Sequence, residues 1–213
     1  IGGSEYLYRK EGIVAGEPPR VDLLAERRLQ HALLALVQKG VARSAHDCSE
    51  GGLAAALAEC AVAGEARHGV EVSLDDHLAP VALFFGETQG RALVSVSPED
   101  EERALEIARS HGVPARFIGT VGAEGGAFSL RSPRGSIQIE VERVAHRYHT
   151  ALPELMARTD GPGAAEAGGE RQRPGGNDAA LGAALVSVFP EGEGDGRRHL
   201  YACDGTVQHD GAT

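Results

Sequence analysis

Two consecutive glycines, Gly51 and Gly52, stand where a helix should begin, and this restricts what the surrounding chain can form. Upstream, Val41 to Ala45 reads as a short strand with a polar exit, His46-Asp47-Cys48-Ser49. Downstream, Leu53, Leu57, Cys60 and Ala61 fall on one helical face, and alanines fill most of the rest. That pattern predicts a helix from Glu50 to about Ala63. Each glycine costs a helix about 1 kcal/mol against alanine. A strand–turn–helix unit that accepts this cost twice has two explanations. One is a packing or turn requirement, with Ser49 as an ordinary N-cap. The other is an anion, typically a phosphate, held by free N–H groups at the helix start. Both stay open at this level.

The 213 residues suffice for one domain or two small ones. Hydrophobic residues make up 42% of the chain, but aromatics only 4%, with no tryptophan and one methionine, so the core is aliphatic. A net charge of −10 argues against a nucleic-acid surface, which needs clustered Lys and Arg, without excluding a phosphorylated ligand. Three cysteines, Cys48, Cys60 and Cys203, have neither metal-site spacing nor disulfide logic, which favours a reducing, cytoplasmic setting. No secretory signal and no membrane-length apolar run is present, so no membrane partner is expected. The chain starts at Ile1 rather than methionine, which fits processing or a piece of something longer.

Residues 1–20 read as the tail of a preceding unit and a connector, stiffened by Pro18-Pro19. A helix is predicted from about Asp22 to Gln38, with Leu29, Leu33, Leu36 and Val37 as its buried stripe and Gly40 as its stop. Gly69 to Leu74 alternates as a strand, Val81 to Phe85 is a short apolar run, and Ala92 to Val96 is a further strand. Ser97-Pro98-Glu99-Asp100 reads as a helix start with a serine cap, the helix running to about Ser110 and stopping at Gly112. Ala115 to Val121 is a strand, and Phe128–Arg131 pairs with Ser136–Glu140 across a turn containing Pro133 and Gly135. A last helix starts near Val141, with Val144, Tyr148, Leu152 and Leu155 at helical spacing and a kink or break expected at Pro153. The fold class is therefore α+β: a layered α/β/α domain over residues 21–158, a mixed sheet with packed helices. Residues 159–213 hold 12 of the 29 glycines and read as a mobile, largely irregular tail, in which Leu181 to Phe189 is the one segment apolar enough to dock as a strand.

Two clusters could carry chemistry. In the first, His46 beside Asp47 is an acid–base pair, part of a metal site, or a hydrogen-bonded strand end. Neighbours in a strand point to opposite faces, which argues against a dyad. Asp47 and Glu50 could converge on a metal–phosphate if the chain turns between them. The second is Gly86-Glu87-Thr88-Gln89-Gly90-Arg91. It is either a tight turn between strands or a site, with Glu87 orienting a substrate amide or hydroxyl, or helping with Mg²⁺, and Arg91 balancing a phosphate. Phe84 and Phe85 read as packing, and Cys60 as core. Cys48 has no identifiable partner base. His68, His77, His111, His146 and His149 have no metal spacing, and no P-loop, dinucleotide fingerprint or nucleophile elbow is present.

Three segments carry a resemblance: Gly2-Gly3-Ser4-Glu5-Tyr6, Ser44-Ala45-His46-Asp47-Cys48-Ser49-Glu50-Gly51-Gly52-Leu53, and Phe85-Gly86-Glu87-Thr88-Gln89-Gly90-Arg91. In order and spacing they resemble the C-terminal part of the phosphoribosylformylglycinamidine synthase family, within the aminoimidazole ribonucleotide synthetase-like superfamily. The resemblance extends from Ile1 to about Arg158. It implies part of an ATP-dependent ligase of purine biosynthesis. That enzyme converts formylglycinamide ribonucleotide, ATP and ammonia from glutamine into the amidine, ADP and phosphate. ATP there activates an amide oxygen, otherwise a very poor leaving group, as a phosphate ester that ammonia displaces. ATP and Mg²⁺ are the implied cofactors. The implied partners are upstream synthetase domains and a glutaminase subunit or domain, with a homodimer left open. The implied substrate- and phosphate-binding residues are His46, Asp47, Ser49, Glu50, Gly51, Gly52, Glu87 and Arg91, with Asp47 and Glu50 toward the metal. No residue of this segment is assigned a catalytic role, and the chain alone is expected to be inactive. The alternatives are a non-catalytic structural or interface domain and a metabolite-binding module of the same superfamily.

Overall fold

A computed structural model describes residues 1–159 and 198–204, the side chains through residue 157. Among the described residues there are six α-helices and seven strands: α1 Glu5–Glu11, α2 Leu23–Gln38, β1 Ala42–Asp47, α3 Gly52–Val62, β2 His68–Ser73, α4 Pro80–Phe85, β3 Arg91–Val96, α5 Glu101–Ser110, β4 Ala115–Glu124, β5 Ala127–Ser132, β6 Gly135–Glu140, α6 Val141–Thr159 and β7 Arg198–Asp204. The strands make one sheet in the order β1-β3-β7-β4-β2-β5-β6. It is mixed: β2 runs parallel to β5, and every other neighbouring pair is antiparallel.

Helices cover both faces, and β3 shows why. Its Leu93 belongs to one apolar cluster, with Leu53, Leu57, Phe84, Leu130 and Val141, while Val94 and Val96 belong to the other, with Leu29, Leu36, Ile107 and Val113. Successive residues of a strand face opposite ways, so α3, α4 and α6 pack on one side of the sheet and α2 and α5 on the other. This is the α/β/α layering that the alternation of elements predicts. Alanines carry much of it: nearly all of α3 is buried, including Ala54, Ala55, Ala56, Ala58 and Ala61, which lets the helix lie close to the sheet.

Several local expectations need correction. Val81 to Phe85 belongs to a helix, because Pro80 supplies a preset φ at the first helical position, where its missing N–H is no loss. Periodicity cannot separate helix from strand over five apolar residues. In α2 the buried stripe is Ala25, Leu29, Ala32 and Leu36; Leu33 is half-buried and Val37 is exposed. Asp22 caps that helix, its carboxylate accepting from Leu24 and Ala25 N–H. Ser97 does not cap: its hydroxyl accepts from Arg43 Nε at 3.0 Å, and a 3₁₀ turn, Pro98–Asp100, precedes α5. Helix α6 is unbroken at Pro153. Its first half packs on the core through Val141 and Ala145, while Leu152, Leu155 and Met156 are exposed. The expected hairpin is present, with β5 and β6 paired across Pro133-Arg134.

Both chain ends hold structure that the sequence did not signal. Glu5–Glu11 is helical rather than a plain connector, with Ser4 as its N-cap and Gly12 in the left-handed region at its end. Near the other end, β7 fills the gap between β3 and β4, pairing antiparallel with each. The Leu181 to Phe189 segment lies outside the described residues.

Candidate functional site

The three segments singled out in the sequence meet at one carboxylate. Glu87, in the loop between α4 and β3, accepts through Oε1 from the backbone N–H of Gly51 at 2.8 Å and of Glu5 at 3.0 Å. Those donors belong to the heads of α3 and α1, whose first N–H groups have no partner within their own helices. Around this contact Tyr6 stacks on Phe85, ring centroids 4.9 Å apart, and Ser4 is almost fully buried. The Cys48 N–H donates to the Arg91 carbonyl at 3.0 Å, tying the exit of β1 to the start of β3.

Both glycines are required, for different reasons. Gly51 has φ +76° and is the N-cap of α3, with no side-chain cap. Ser49 therefore does not fill that role; its hydroxyl donates to the Asp47 carboxylate instead. Gly52, at φ +65°, lies against the α4 loop: a Cβ there would sit 2.5 Å from the Gly86 carbonyl oxygen and 2.9 Å from the Phe85 carbonyl carbon. The packing requirement is thus real, and the anion at the Gly51 N–H is the chain's own Glu87. Arg91 donates through Nε to the Thr88 carbonyl at 3.1 Å and through a terminal nitrogen to the Gly86 carbonyl, so two of its donors brace its own loop.

At the end of β1 the strand alternation separates the two candidate partners. The Asp47 side chain is 59% exposed and that of His46 only 7%. His46 Nδ1 lies 2.6 Å from the Asp47 backbone oxygen but 3.7 Å from its carboxylate, so the two do not form a catalytic dyad. The ring instead reaches inward, with Nε2 3.4 Å from Glu59 Oε2. Burial lifts the Glu59 carboxyl above its usual range; His46 opposes the shift, and Asp47 and Glu50 add to it. Burial, with a smaller contribution from Glu59, also raises the Tyr148 hydroxyl. The Cys60 thiol is pushed up to about 12, by burial first and then by Cys48 and Glu59. A thiol held so far from ionisation is no nucleophile.

Glu50 is exposed beside Asp47 and Ser49. Among the described residues no group of three or more His, Cys, Asp or Glu side chains converges as a metal cage. Two exposed carboxylates are nevertheless a donor set that suits Mg²⁺, which usually takes one or two protein carboxylates and completes its shell with water and phosphate oxygens. Glu59 was missed in the sequence. Its available signal was a single acid inside the otherwise apolar run Leu53 to Val62.

Residues 1–130 match the family described as AIR synthase related protein, C-terminal domain. The chain is 43% identical over 158 residues to phosphoribosylformylglycinamidine synthase subunit PurL of Moorella thermoacetica, an overlap covering 74% of this chain and 21% of that protein. It superposes on Thermotoga maritima PurL complexed with FGAR with a TM-score of 0.55 and 25% identity, covering 65% of this chain and 24% of that one. For T. maritima PurL complexed with ATP the TM-score is 0.51 and the identity 27%, over 64% and 23% of the two chains. The chain thus spans about a fifth of the length of that curated relative.

Proposed function

Since the chain belongs to the AIR synthase related protein, C-terminal domain family, we propose that it is one wall of the ligand site of a phosphoribosylformylglycinamidine synthase. The complete enzyme would join ammonia from glutamine to formylglycinamide ribonucleotide at the expense of ATP, in the cytoplasm. The observation that carries this is the convergence on Glu87 of the three segments by which the chain resembles that enzyme. These segments lie far apart in sequence, yet they assemble one corner with the Asp47 carboxylate, the Ser49 hydroxyl and Glu50 at its exposed edge.

Within this reading the residues divide by role. Asp47, Ser49 and Glu50 face a phosphorylated ligand. Asp47 and Glu50 would hold Mg²⁺ together with phosphate oxygens, and the ion, when bound, would neutralise phosphate charge. Gly51, Gly52, Glu87 and Arg91 shape the backbone behind them, and His46 lies inward. No residue of this set is assigned the phosphoryl-transfer or amination step; those groups would belong to upstream synthetase domains, and a glutaminase partner would supply the ammonia. The purified chain, given ATP, formylglycinamide ribonucleotide and ammonia, should show no turnover; steady turnover would overturn the reading. In a complete synthetase carrying this segment, Asp47→Asn and Glu50→Gln should each lower kcat/KM at least tenfold.

A structural or interface domain is the second reading. It is favoured by the internal use of the Glu87 carboxylate and of two Arg91 donors. Unchanged kcat/KM in both of those variants would establish it over the first.

A further inference from the structure

Helix α3 is apolar around its whole circumference except at Glu59, whose side chain is 17% exposed. An ionisable group is costly to bury there unless it has a partner. The nearby basic group is His46, itself 7% exposed, with Nε2 3.4 Å from Glu59 Oε2. Nε2 has no aligned hydrogen bond, although it is shielded from water. The other ring nitrogen, Nδ1, is 2.6 Å from the Asp47 backbone oxygen. A carbonyl oxygen only accepts, so Nδ1 carries a proton. With that proton placed, a single further proton between Nε2 and Oε2 gives the buried Nε2 a partner, whether it resides on the ring or on the carboxyl. Either arrangement leaves the pair with no net charge beneath the exposed Asp47 and Glu50 carboxylates.

We propose that Glu59 is a positioning residue: it holds the His46 ring so that Nδ1–H anchors the Asp47 carbonyl and thereby sets the Asp47–Ser49 corner at the head of α3. Glu59 touches no ligand in this scheme and acts only through His46. Metal-bound histidines are oriented in the same way, by the hydrogen bond that the second ring nitrogen makes. Here the oriented group is a backbone carbonyl one residue along the strand. Tyr148 of α6 and Cys60 adjoin the pair electrostatically, and neither replaces it, since both stay un-ionised at neutral pH with burial raising each further. The benefit to a bound phosphate rests on the function proposed above. The positioning itself does not, and it is tested on the chain alone.

The test is nitrogen-15 NMR of the histidine rings and backbone amides of the 213-residue chain. His46 should carry its proton on Nδ1, exchanging slowly with water. Glu59→Gln, whose side-chain amide can donate to Nε2, should keep the slow Nδ1 proton and leave the Asp47, Cys48 and Ser49 amide signals in place. Glu59→Met fills the same volume without a polar atom. It should speed exchange of that proton at least tenfold and shift the three amide signals. Three results would each overturn the proposal: a wild-type ring protonated on Nε2 alone, a Met variant that keeps the wild-type signature, or a Gln variant that loses it. If the Met variant does not fold, Glu59→Leu, also without a polar atom, takes its place with the same expected and refuting results.

Discussion

Replacing Glu87 with alanine should separate three parts of the chain at once. Its Oε1 accepts two backbone N–H groups, from Gly51 and Glu5, both in partly buried surroundings. A hydrogen bond to a charged group contributes about 1.5–3 kcal/mol, and less where water can re-enter to solvate the freed donor. Two such bonds at a half-buried site set the expected loss for Glu87→Ala at about 3 kcal/mol, a large fraction of the roughly 5–15 kcal/mol available to a domain. Glu87→Gln keeps an oxygen acceptor in place and gives up only the charge, so about 1 kcal/mol should be lost. Urea unfolding at a constant denaturant slope measures these differences, and amide hydrogen exchange locates them. In the alanine variant the Gly51 and Glu5 amides should lose protection while those of the β5–β6 hairpin keep it. A cost under about 0.5 kcal/mol with both amides still protected would refute the linkage. A Gln variant as damaged as the Ala variant would show that charge, not the acceptor, holds the corner.

Gly52→Ala should be far worse than Gly40→Ala. Both positions have positive φ, but a Cβ at Gly40 meets nothing within 4 Å, whereas at Gly52 it strikes the Gly86 and Phe85 backbone. The left-handed conformation alone costs about 1–2 kcal/mol; equal melting temperatures for the two variants would contradict the clash. For Glu59, burial places the folded-state pKa above its ordinary 4.5, so the folded chain binds that proton more tightly than the unfolded one. The associated stability is full below pH 4.5 and is lost as pH rises through the folded-state value. Glu59→Gln has no such loss, so its stability relative to the parent should rise from acid to neutral pH in urea unfolding, and a pH-independent difference would refute the sign. Cys60 should resist iodoacetamide in the native chain at mildly alkaline pH and react once denatured, since its thiol titrates only near 12. Mass spectrometry of the labelled peptides reports this, and rapid native labelling would count against its burial.

Much of this protein is written locally in its sequence. Helix α2, the β1–Gly-Gly–α3 unit, the β5–β6 hairpin across Pro133-Arg134 and the start of α6 at Val141 all follow from stop and turn residues and apolar spacing. The α/β/α class was legible for the same reason, whereas the functional reading of the His46–Gly52 and Gly86–Arg91 segments came from resemblance to a family. Where local signals were too short or too balanced they misled. Pro80–Phe85 had too few residues for its period to show, and Ser49 and Ser97 are plausible caps that do not cap: the Ser49 hydroxyl donates to Asp47 and the Ser97 hydroxyl accepts from Arg43. Tertiary structure alone decided the rest, because the deciding partners lie far along the chain. Strand β7 sits between β3 and β4, β2 pairs parallel with β5, and Glu59 finds His46 across the interface of α3 with the sheet. Glu87 reaches Gly51 and Glu5 across 36 and 82 residues, and no local preference encodes such a meeting. In sequence the double glycine leaves an anion and a packing contact equally open. In the folded chain both are present: the anion is Glu87, and the packing partner is the backbone that carries it.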